Sequence, residues 1–164
     1  MVMDRRACSD GVRCDSSPDG SAGRRPAVLR DDATVEGLSS KELGRLGESL
    51  ACFYLEERGY HIIERNYRCR EGEADIVAYD EADDSIVLVE VKTRRKAATS
   101  LELYPEEAVN KKKRRRYRRI AACYVMEHYP VQTIRFDVVG VCIHDGRTAG
   151  IQHILGAFDW DADL

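Results

Sequence analysis

The sequence has few aromatic residues, no long apolar run and no cysteine pair at metal-binding spacing. Aromatic residues make up 7% of the 164 residues, so aliphatic side chains must supply most of a core. No stretch approaches the ~20 consecutive apolar residues that a membrane-spanning helix needs. The N-terminus also lacks the apolar segment of a secretory signal, and its acidic residues argue against a transit peptide. These absences predict a cytoplasmic protein with no membrane partner.

Cysteine and histidine do not form a metal-binding pattern. The six cysteines include no CxxC motif, and four of them fall inside predicted helices or strands. We interpret them as reduced thiols that pack as small hydrophobic side chains, rather than as disulfides or zinc ligands. The four histidines form no metal-like pair, and no glycine-rich loop indicates a nucleotide.

The chain divides into a tail, one domain and a short acidic end. Residues 1–37 contain no aromatic residue and few aliphatic ones, so they cannot bury enough surface to offset their ordering entropy. We predict a disordered tail at 1–37, with a partner-binding tail as the alternative. The folded domain is expected at 38–156, followed by an acidic C-terminal tail at 157–164.

Two helices and five strands are predicted within the domain. A capping box of Ser39 and Glu42 begins the first helix, which Gly59 stops. The second helix runs from Pro105, at its first position, to about His128. Segments of strand-like composition occupy residues 60–69, 73–79, 85–93, 133–143 and about 149–155. The order α-β-β-β-α-β-β predicts an α/β or α+β fold in which helices pack on one sheet.

The third predicted strand, within LVEVKTRR, carries charged residues on one face. Because side chains alternate in a strand, Glu90 and Lys92 share a face, while the valines beside them form the opposite face. The hairpin of residues 73–79 and 85–93 brings Asp75 near the strand that holds this pair. Two carboxylates and one ammonium group are therefore expected to converge.

This combination of side chains suits phosphate chemistry with a metal ion. Two neighbouring carboxylates repel unless a cation joins them, and hard oxygen ligands suit Mg²⁺ or Mn²⁺. We therefore predict that Asp75 and Glu90 bind the metal ion. Lys92 could orient or deprotonate an attacking water, or stabilise charge on a phosphate. The alternative is a structural cross-strand site in which Glu90 and Lys92 form an ion pair.

Weaker signals come from the first helix and from two strands. Glu48 lies at the edge of the apolar arc of its helix, where its carboxylate could complete the site or turn outward into solvent. Arg65 and Asn66 could contact backbone phosphate or stabilise a turn. Asp137 lies on the less apolar start of its strand and is better explained by a structural role.

The second helix is dominated by one sign of charge. Eight of the nine residues from 111 to 119 are basic, namely Lys111, Lys112, Lys113, Arg114, Arg115, Arg116, Arg118 and Arg119. Like charges on one helix repel, and a polyanion such as DNA would neutralise them. Arg94 and Arg95 extend the same positive surface. The alternatives are a helix balanced by the acidic C-terminus or a surface for an acidic protein.

Five ordered blocks of the sequence resemble a bacterial family. They are GRLGESLACFYLEERGYHIIERNYR, GEADIVAYD, LVEVKTR, PEEAV and RFDVV, and they cover roughly residues 40–140. In this order they resemble the uncharacterised protein family UPF0102, also called YraN-like. GEADIVA followed by VEVKTR is also similar to the D…E-x-K core of the restriction-endonuclease-like nuclease superfamily.

The resemblance implies a fold and a set of site residues. It implies a restriction-endonuclease-like α/β fold with a central mixed sheet flanked by helices, akin to that of archaeal Holliday-junction resolvases. It also implies that Asp75, Glu90 and Lys92 correspond to the metal and catalytic positions, and that Glu48 matches the helix glutamate of the superfamily. The chain departs from the family pattern at Tyr104, where a glycine is common, and in its long tail.

The residues and the resemblance together predict a metal-dependent nuclease that binds DNA through the basic helix. Phosphate contacts favour branched, flapped or single-stranded DNA over a defined sequence, and a homodimer would fit a junction substrate. The alternative is a non-catalytic module of nuclease fold that acts with a recombination or DNA-uptake partner. RNA is a further alternative, because phosphate contacts do not distinguish the sugars.

Overall fold

The structure is a computed structural model that describes residues 8–13, 37–95, 111–131, 133–144 and 148–158. Its elements, in chain order, are β1 (Cys8–Arg13), α1 (Ser40–Glu56), β2 (Tyr60–Cys69), β3 (Gly72–Asp80), β4 (Ser85–Arg95), α2 (Lys111–Glu127), β5 (Ile134–Ile143) and β6 (Thr148–Ile154). From α1 to β6 the predicted order α-β-β-β-α-β-β is confirmed. The predicted start of the second helix at Pro105 lies outside the described residues.

Strands β2 to β6 form a mixed sheet. β2, β3 and β4 pair antiparallel in succession, β4 pairs parallel with β5, and β5 pairs antiparallel with β6. A parallel pair needs a long crossover connection, and α2 lies in the connection between β4 and β5. The predicted α/β fold is therefore confirmed.

β1 extends the sheet beyond β6. It pairs antiparallel with β6, so the strand order across the sheet is β1-β6-β5-β4-β3-β2. No apolar pattern in the sequence predicts this strand, because a strand that adds to a sheet edge through backbone hydrogen bonds needs none of its own. β1 lies within residues 1–37, for which a disordered tail is predicted, so the structure differs from that prediction at residues 8–13. Residues 1–7 and 14–36 lie outside the described residues.

The start of α1 agrees with the sequence. The Ser39 side chain accepts a hydrogen bond from the Glu42 N–H at 3.3 Å, and Glu42 Oε2 accepts one from the Ser39 N–H at 2.8 Å. This capping box satisfies donors at the helix start that have no partner within the helix. After the helix, Gly59 has a φ of 85°, which glycine adopts without steric cost.

Helices cover both faces of the sheet. α1 packs Leu55 and its neighbours against Val89 on one face, and α2 packs Ile120 against Leu88 on the other. Val87 and Val89 are buried on one face of β4, and Leu88 and Glu90 are buried on the opposite face. Sheets that are buried on both faces have apolar runs rather than strict alternation. Neither described helix is long and apolar enough to cross a membrane.

A buried ion network lies on the α1 face of the sheet. Arg135 on β5 bonds both carboxylate oxygens of Asp137 at 3.0 Å and Asp80 at 2.9 Å. His153 on β6 lies 3.0 Å from Asp137 and packs edge-on against Tyr54 of α1. These contacts support the structural role that the sequence favours for Asp137.

Candidate functional site

The candidate site lies at the point where β3 and β4 stop pairing. Their paired residues run from Asp80 and Ser85 to Ile76 and Val89. The next residue of β3 is Asp75, and its Oδ2 accepts a hydrogen bond from the Val91 N–H at 2.7 Å. A side chain thus replaces the next backbone hydrogen bond, and the two strands open into a fork. Asp75 on β3 and Glu90 on β4 occupy this fork, as the predicted hairpin requires.

Glu90 is the most heavily contacted residue of the site. It is 9% exposed, its Oε1 lies 3.0 Å from Lys92 Nζ, and the same oxygen accepts a hydrogen bond from Lys113 Nζ. Its Oε2 accepts a hydrogen bond from the Tyr117 hydroxyl at 2.5 Å. Burial opposes the ionisation of Glu90, but the bonds from Lys113 and Tyr117 outweigh it and lower the pKa of this carboxyl. Glu90 is therefore held as a carboxylate.

Asp75 has the opposite electrostatic character. Burial and the nearby Glu90 carboxylate raise its pKa to about 6, and Glu48 adds to the rise, while the hydrogen bond from Val91 opposes it. A second carboxylate therefore lies in the fork with too little positive charge around it. A divalent cation would supply that charge, and Mg²⁺ is commonly held by one or two carboxylates plus substrate oxygens. The donor set thus fits Mg²⁺ or Mn²⁺.

The raised pKa of Asp75 predicts how stability depends on pH. Folding raises this pKa from 3.8 to about 6, so the folded state favours the neutral carboxyl. Ionisation therefore costs stability as pH rises through this window, by about 2 to 3 kcal/mol above pH ~6. Asp75→Asn can still accept the Val91 N–H but cannot ionise. We expect this variant to have a larger free energy of unfolding than the wild type at pH ~8, and the advantage to shrink toward pH ~4.

Denaturant unfolding at several pH values measures this difference. The matched control is Glu73→Gln, which removes a carboxylate from an exposed position two residues before Asp75 on β3. An advantage of Asp75→Asn that does not change with pH would contradict the raised pKa, and so would a loss of stability at pH ~8.

Lys113 and Tyr117 are site residues that the sequence analysis does not identify as such. The sequence assigns Lys113 to the DNA-binding surface and gives no role to Tyr117. Both residues lie on the face of α2 that packs on the sheet, because Tyr117, Ile120 and Tyr124 are buried and Lys113 is one turn before Tyr117. Lys113 lies four residues before the apolar stripe that begins at Tyr117, and this spacing is the sequence signal that could have predicted its position on the buried face.

Glu48 approaches the site from the other face of the sheet. α1 lies so close to β4 that a Cβ on Gly47 would be 1.8 Å from Thr93 Oγ1, so a glycine is required there. Glu48 Oε2 lies 3.4 Å from Asn66 Nδ2 and 3.9 Å from Arg65 Nη2. The structure thus places Arg65 and Asn66 against Glu48.

The predicted metal ligands are not all brought together. Within the described part of the chain, no group of three or more His, Cys, Asp or Glu residues is placed to hold one metal ion. Asp75 and Glu90 share the fork, whereas Glu48 stays at its border, close enough to raise the pKa of Asp75. A part for Glu48 in metal binding stays a prediction.

The basic residues of α2 are divided between its two sides. Five of them are exposed, and we call them the basic face: Lys111, Lys112, Arg115, Arg116 and Arg119. The other three are partly buried: Lys113, Arg114 and Arg118. Arg119 forms an ion pair with Glu71 at 3.0 Å, and Arg116 packs over Gly72. These two contacts fix α2 to the turn between β2 and β3, beside the fork.

Arg94 and Arg95 are exposed at the end of β4, as the sequence predicts. Arg95 donates a hydrogen bond to the backbone carbonyl of Leu38, just before α1. Arg94 shares the face of Lys92, so it continues the positive charge outward from the fork, whereas Arg95 lies on the α1 face with Thr93.

Comparison with known proteins gives one consistent family. The model of the uncharacterised protein family UPF0102 matches residues 47–141, which include every candidate site residue. A UPF0102 protein of Trichlorobacter lovleyi is 42% identical over 124 residues, which are 75% of this chain and 94% of that protein. A UPF0102 protein of Syntrophomonas wolfei is 43% identical over 122 residues, which are 73% of this chain and 99% of that protein.

Proposed function

We propose that this chain, which belongs to the uncharacterised protein family UPF0102, is a metal-dependent nuclease that hydrolyses phosphodiester bonds of DNA. The observation that carries the proposal is the fork between β3 and β4. Asp75 and Glu90 lie there with Lys92, which contacts the Glu90 carboxylate. The strongly basic helix α2 contacts this Glu90 carboxylate through Lys113. The proposed metal ligands, the lysine proposed to act on the phosphate and the proposed DNA surface are thus adjacent.

Each residue of the fork has a chemical task in this proposal. Asp75 and Glu90 would hold Mg²⁺ or Mn²⁺, which supplies Lewis acidity to the phosphate and lowers the pKa of a bound water. Lys92, 3.0 Å from Glu90, would orient the attacking water or stabilise charge that develops on the phosphate. Glu48 would complete the site from the α1 side, held by Asn66.

DNA binding is assigned to the basic face of α2, with Arg94, on the same side of the sheet at the end of β4, as its extension. Lysine and arginine contacts to phosphates release counterions, so such binding weakens steeply with salt and reads little sequence. This favours a substrate recognised by its shape, such as a branched, flapped or single-stranded DNA. A homodimer would suit a four-way junction, because two sites could then reach two strands.

Salt dependence gives a quantitative test of the basic face. Replacing Lys112 and Arg115 together with glutamine should weaken DNA binding and make the slope of log affinity against log salt shallower by about 2, because each lost phosphate contact contributes about 0.9. Fluorescence anisotropy with a labelled duplex over a range of salt concentrations measures both quantities.

The matched control for this test is a lysine and an arginine on the other helix. Lys41 and Arg45 are exposed on α1, which covers the opposite face of the sheet, and glutamine at both positions removes the same charge. The control should leave the slope unchanged. Equal changes in both double variants would show that net charge, and not the basic face, determines DNA binding.

A panel of labelled substrates tests the nuclease proposal. Duplex, single strand, flap, four-way junction and RNA would each be incubated with the protein in Mg²⁺ or Mn²⁺. We expect DNA to be cut, and branched or single-stranded DNA to be cut faster than duplex. Cutting of RNA alone would move the proposal to RNA processing.

One observation favours a second candidate function, a non-catalytic module that delivers DNA to a partner. The carboxylate of Glu90 is already bonded by Lys92, Lys113 and Tyr117, so its charge is compensated by the protein's own side chains. Tight, salt-sensitive binding of the whole panel without any cutting would support this module and contradict the nuclease.

A further inference from the structure

Lys113 is placed differently from the rest of the basic run. Its side chain is 24% exposed, and its ammonium group contacts Oε1 of Glu90, which also lies 3.0 Å from the ammonium group of Lys92. Two positive groups therefore share one carboxylate oxygen. Binding to a DNA backbone does not explain this position, because a lysine that only contacts phosphate belongs on the exposed side of the helix.

We infer that Lys113 holds the position on Glu90 that a divalent cation takes when it binds, and that the displaced ammonium group then moves onto the DNA backbone. The inference rests on the proposed function and makes Lys113 a positioning residue. It couples metal binding in the fork to DNA binding on α2. Metal and DNA should then bind cooperatively, each favouring the state with Lys113 away from Glu90.

Charge requires that one group leave Glu90 when a cation arrives. A divalent cation beside Lys92 and Lys113 would put two ammonium groups and a double positive charge around a single buried carboxylate. At such short range in a partly buried site, like charges repel strongly. The carboxylate of Asp75 offsets only part of that charge. The structure therefore favours a cation and a lysine as alternative occupants of Glu90 Oε1.

Lys113 is the group best placed to move. Tyr117 is 2% exposed and packs among Phe136 and Phe158, so its hydroxyl cannot leave. Lys92 is on the same strand as Glu90, two residues away, and stays in the fork when it rotates. Lys113 is on another element, has a flexible four-carbon stem and borders Lys112 of the basic face. Rotation about its stem carries the ammonium group from Glu90 toward that face.

Calorimetric titration of the protein with Mn²⁺, without DNA, tests the inference. Lys113→Met removes the competing ammonium group, whereas Lys112→Met is the matched control that removes the neighbouring exposed charge. We expect Lys113→Met to bind Mn²⁺ at least about fivefold more tightly than the wild type. Lys112→Met should change the affinity by less than about twofold, because exposed charges are screened. Lys113→Gln is the second variant should Lys113→Met fail to fold, and the same gain is expected of it.

DNA binding provides the second measurement of the same coupling. The anisotropy of a labelled duplex would be read in EDTA and in Mn²⁺, within seconds of mixing so that cleavage does not intervene. Mn²⁺ should increase the DNA affinity of the wild type and of Lys112→Met. The increase should be smaller in Lys113→Met, because this variant has no ammonium group to release. If Lys113 had only a structural role, its replacement would leave the increase in DNA affinity caused by Mn²⁺ unchanged.

The outcomes separate this inference from the proposed function. A double variant, Asp75→Asn with Glu90→Gln, should lose Mn²⁺ binding if the metal site lies in the fork. If the double variant loses Mn²⁺ binding, and Lys113→Met and Lys112→Met bind Mn²⁺ equally well, the inference about Lys113 is overturned while the proposed function stands. If neither the wild type nor any lysine variant binds Mn²⁺, both are overturned. Binding by Lys113→Met but not by the wild type would support the inference in its strongest form.

Discussion

Glu90→Gln is expected to cut DNA at least about 10²-fold more slowly than the wild type, since removal of one group that acts on the transition state has effects of this size. Glutamine has nearly the same shape, and its amide oxygen can still accept the hydrogen bond from Tyr117. It has no charge with which to hold a metal ion or the ammonium groups of Lys92 and Lys113. Because the basic face of α2 is unchanged and Lys113 is no longer held by a carboxylate, we expect the variant to bind DNA at least as tightly as the wild type in EDTA.

Single-turnover cleavage and DNA binding in EDTA, measured on the same labelled substrate, check this result. Glu73→Gln makes the same chemical change at an exposed position of β3, where the side chain pairs with exposed Arg68, and should cut at the wild-type rate. Full activity of Glu90→Gln would place the chemistry outside the fork. Loss of DNA binding together with cleavage would indicate that the substitution disrupts α2 rather than catalysis.

Asp137→Asn is expected to lower the free energy of unfolding by about 3 to 5 kcal/mol, as is typical when one partner of a buried ion pair is removed. Asp137 is 1% exposed, and each group that contacts it can donate a hydrogen bond: Arg135, His153 and the N–H of Gly156. The asparagine amide would face these donors with its own N–H groups. Arg135 would also lose one of the carboxylates that offset its burial, although it would keep its ion pair with Asp80.

The pKa of Asp137 adds a pH dependence to this prediction. Burial opposes its ionisation, but the bonds from His153 and Arg135 outweigh it and lower the pKa of this carboxyl. Its contribution to stability is therefore present above the pKa of the unfolded chain and is lost as pH falls through the lower folded pKa. The difference between Asp137→Asn and the wild type should shrink in acid.

Denaturant unfolding near neutral pH measures the loss of stability. The matched control is Asp84→Asn, since Asp84 is exposed and accepts a hydrogen bond from the Tyr79 hydroxyl that asparagine can also accept. A loss in Asp137→Asn no larger than that in the control would show that the network on the α1 face does not stabilise the fold.

Local sequence patterns determine most of the fold and part of the site. The capping box of Ser39, the strand at 60–69 and the hairpin that brings Asp75 to Glu90 all depend on residues close in sequence. Period-two alternation correctly places Glu90 and Lys92 on one face. These features are predictable because each is governed by neighbouring residues or by a short turn.

The contacts that the sequence does not reveal are long-range. Lys113 and Tyr117 reach Glu90 across more than twenty residues of sequence, and the rotation of α2 on the sheet decides which basic residue enters the fork. Asn66, which has a positive φ of 55°, contacts Glu48 across the gap between β2 and α1. Packing between secondary-structure elements determines these contacts, and the periodicity of hydrophobic residues within one element does not encode that packing.

The most direct test of the central claim is a titration of wild-type cleavage with Mg²⁺, from excess EDTA to saturation, on the substrate that is cut fastest. A metal site in the fork predicts no cutting in EDTA and a saturable increase in the single-turnover rate as Mg²⁺ is added. Cutting that persists in EDTA would contradict a metal-dependent reaction. Tight binding with no cutting at any Mg²⁺ concentration would contradict the nuclease and leave a DNA-binding module in its place.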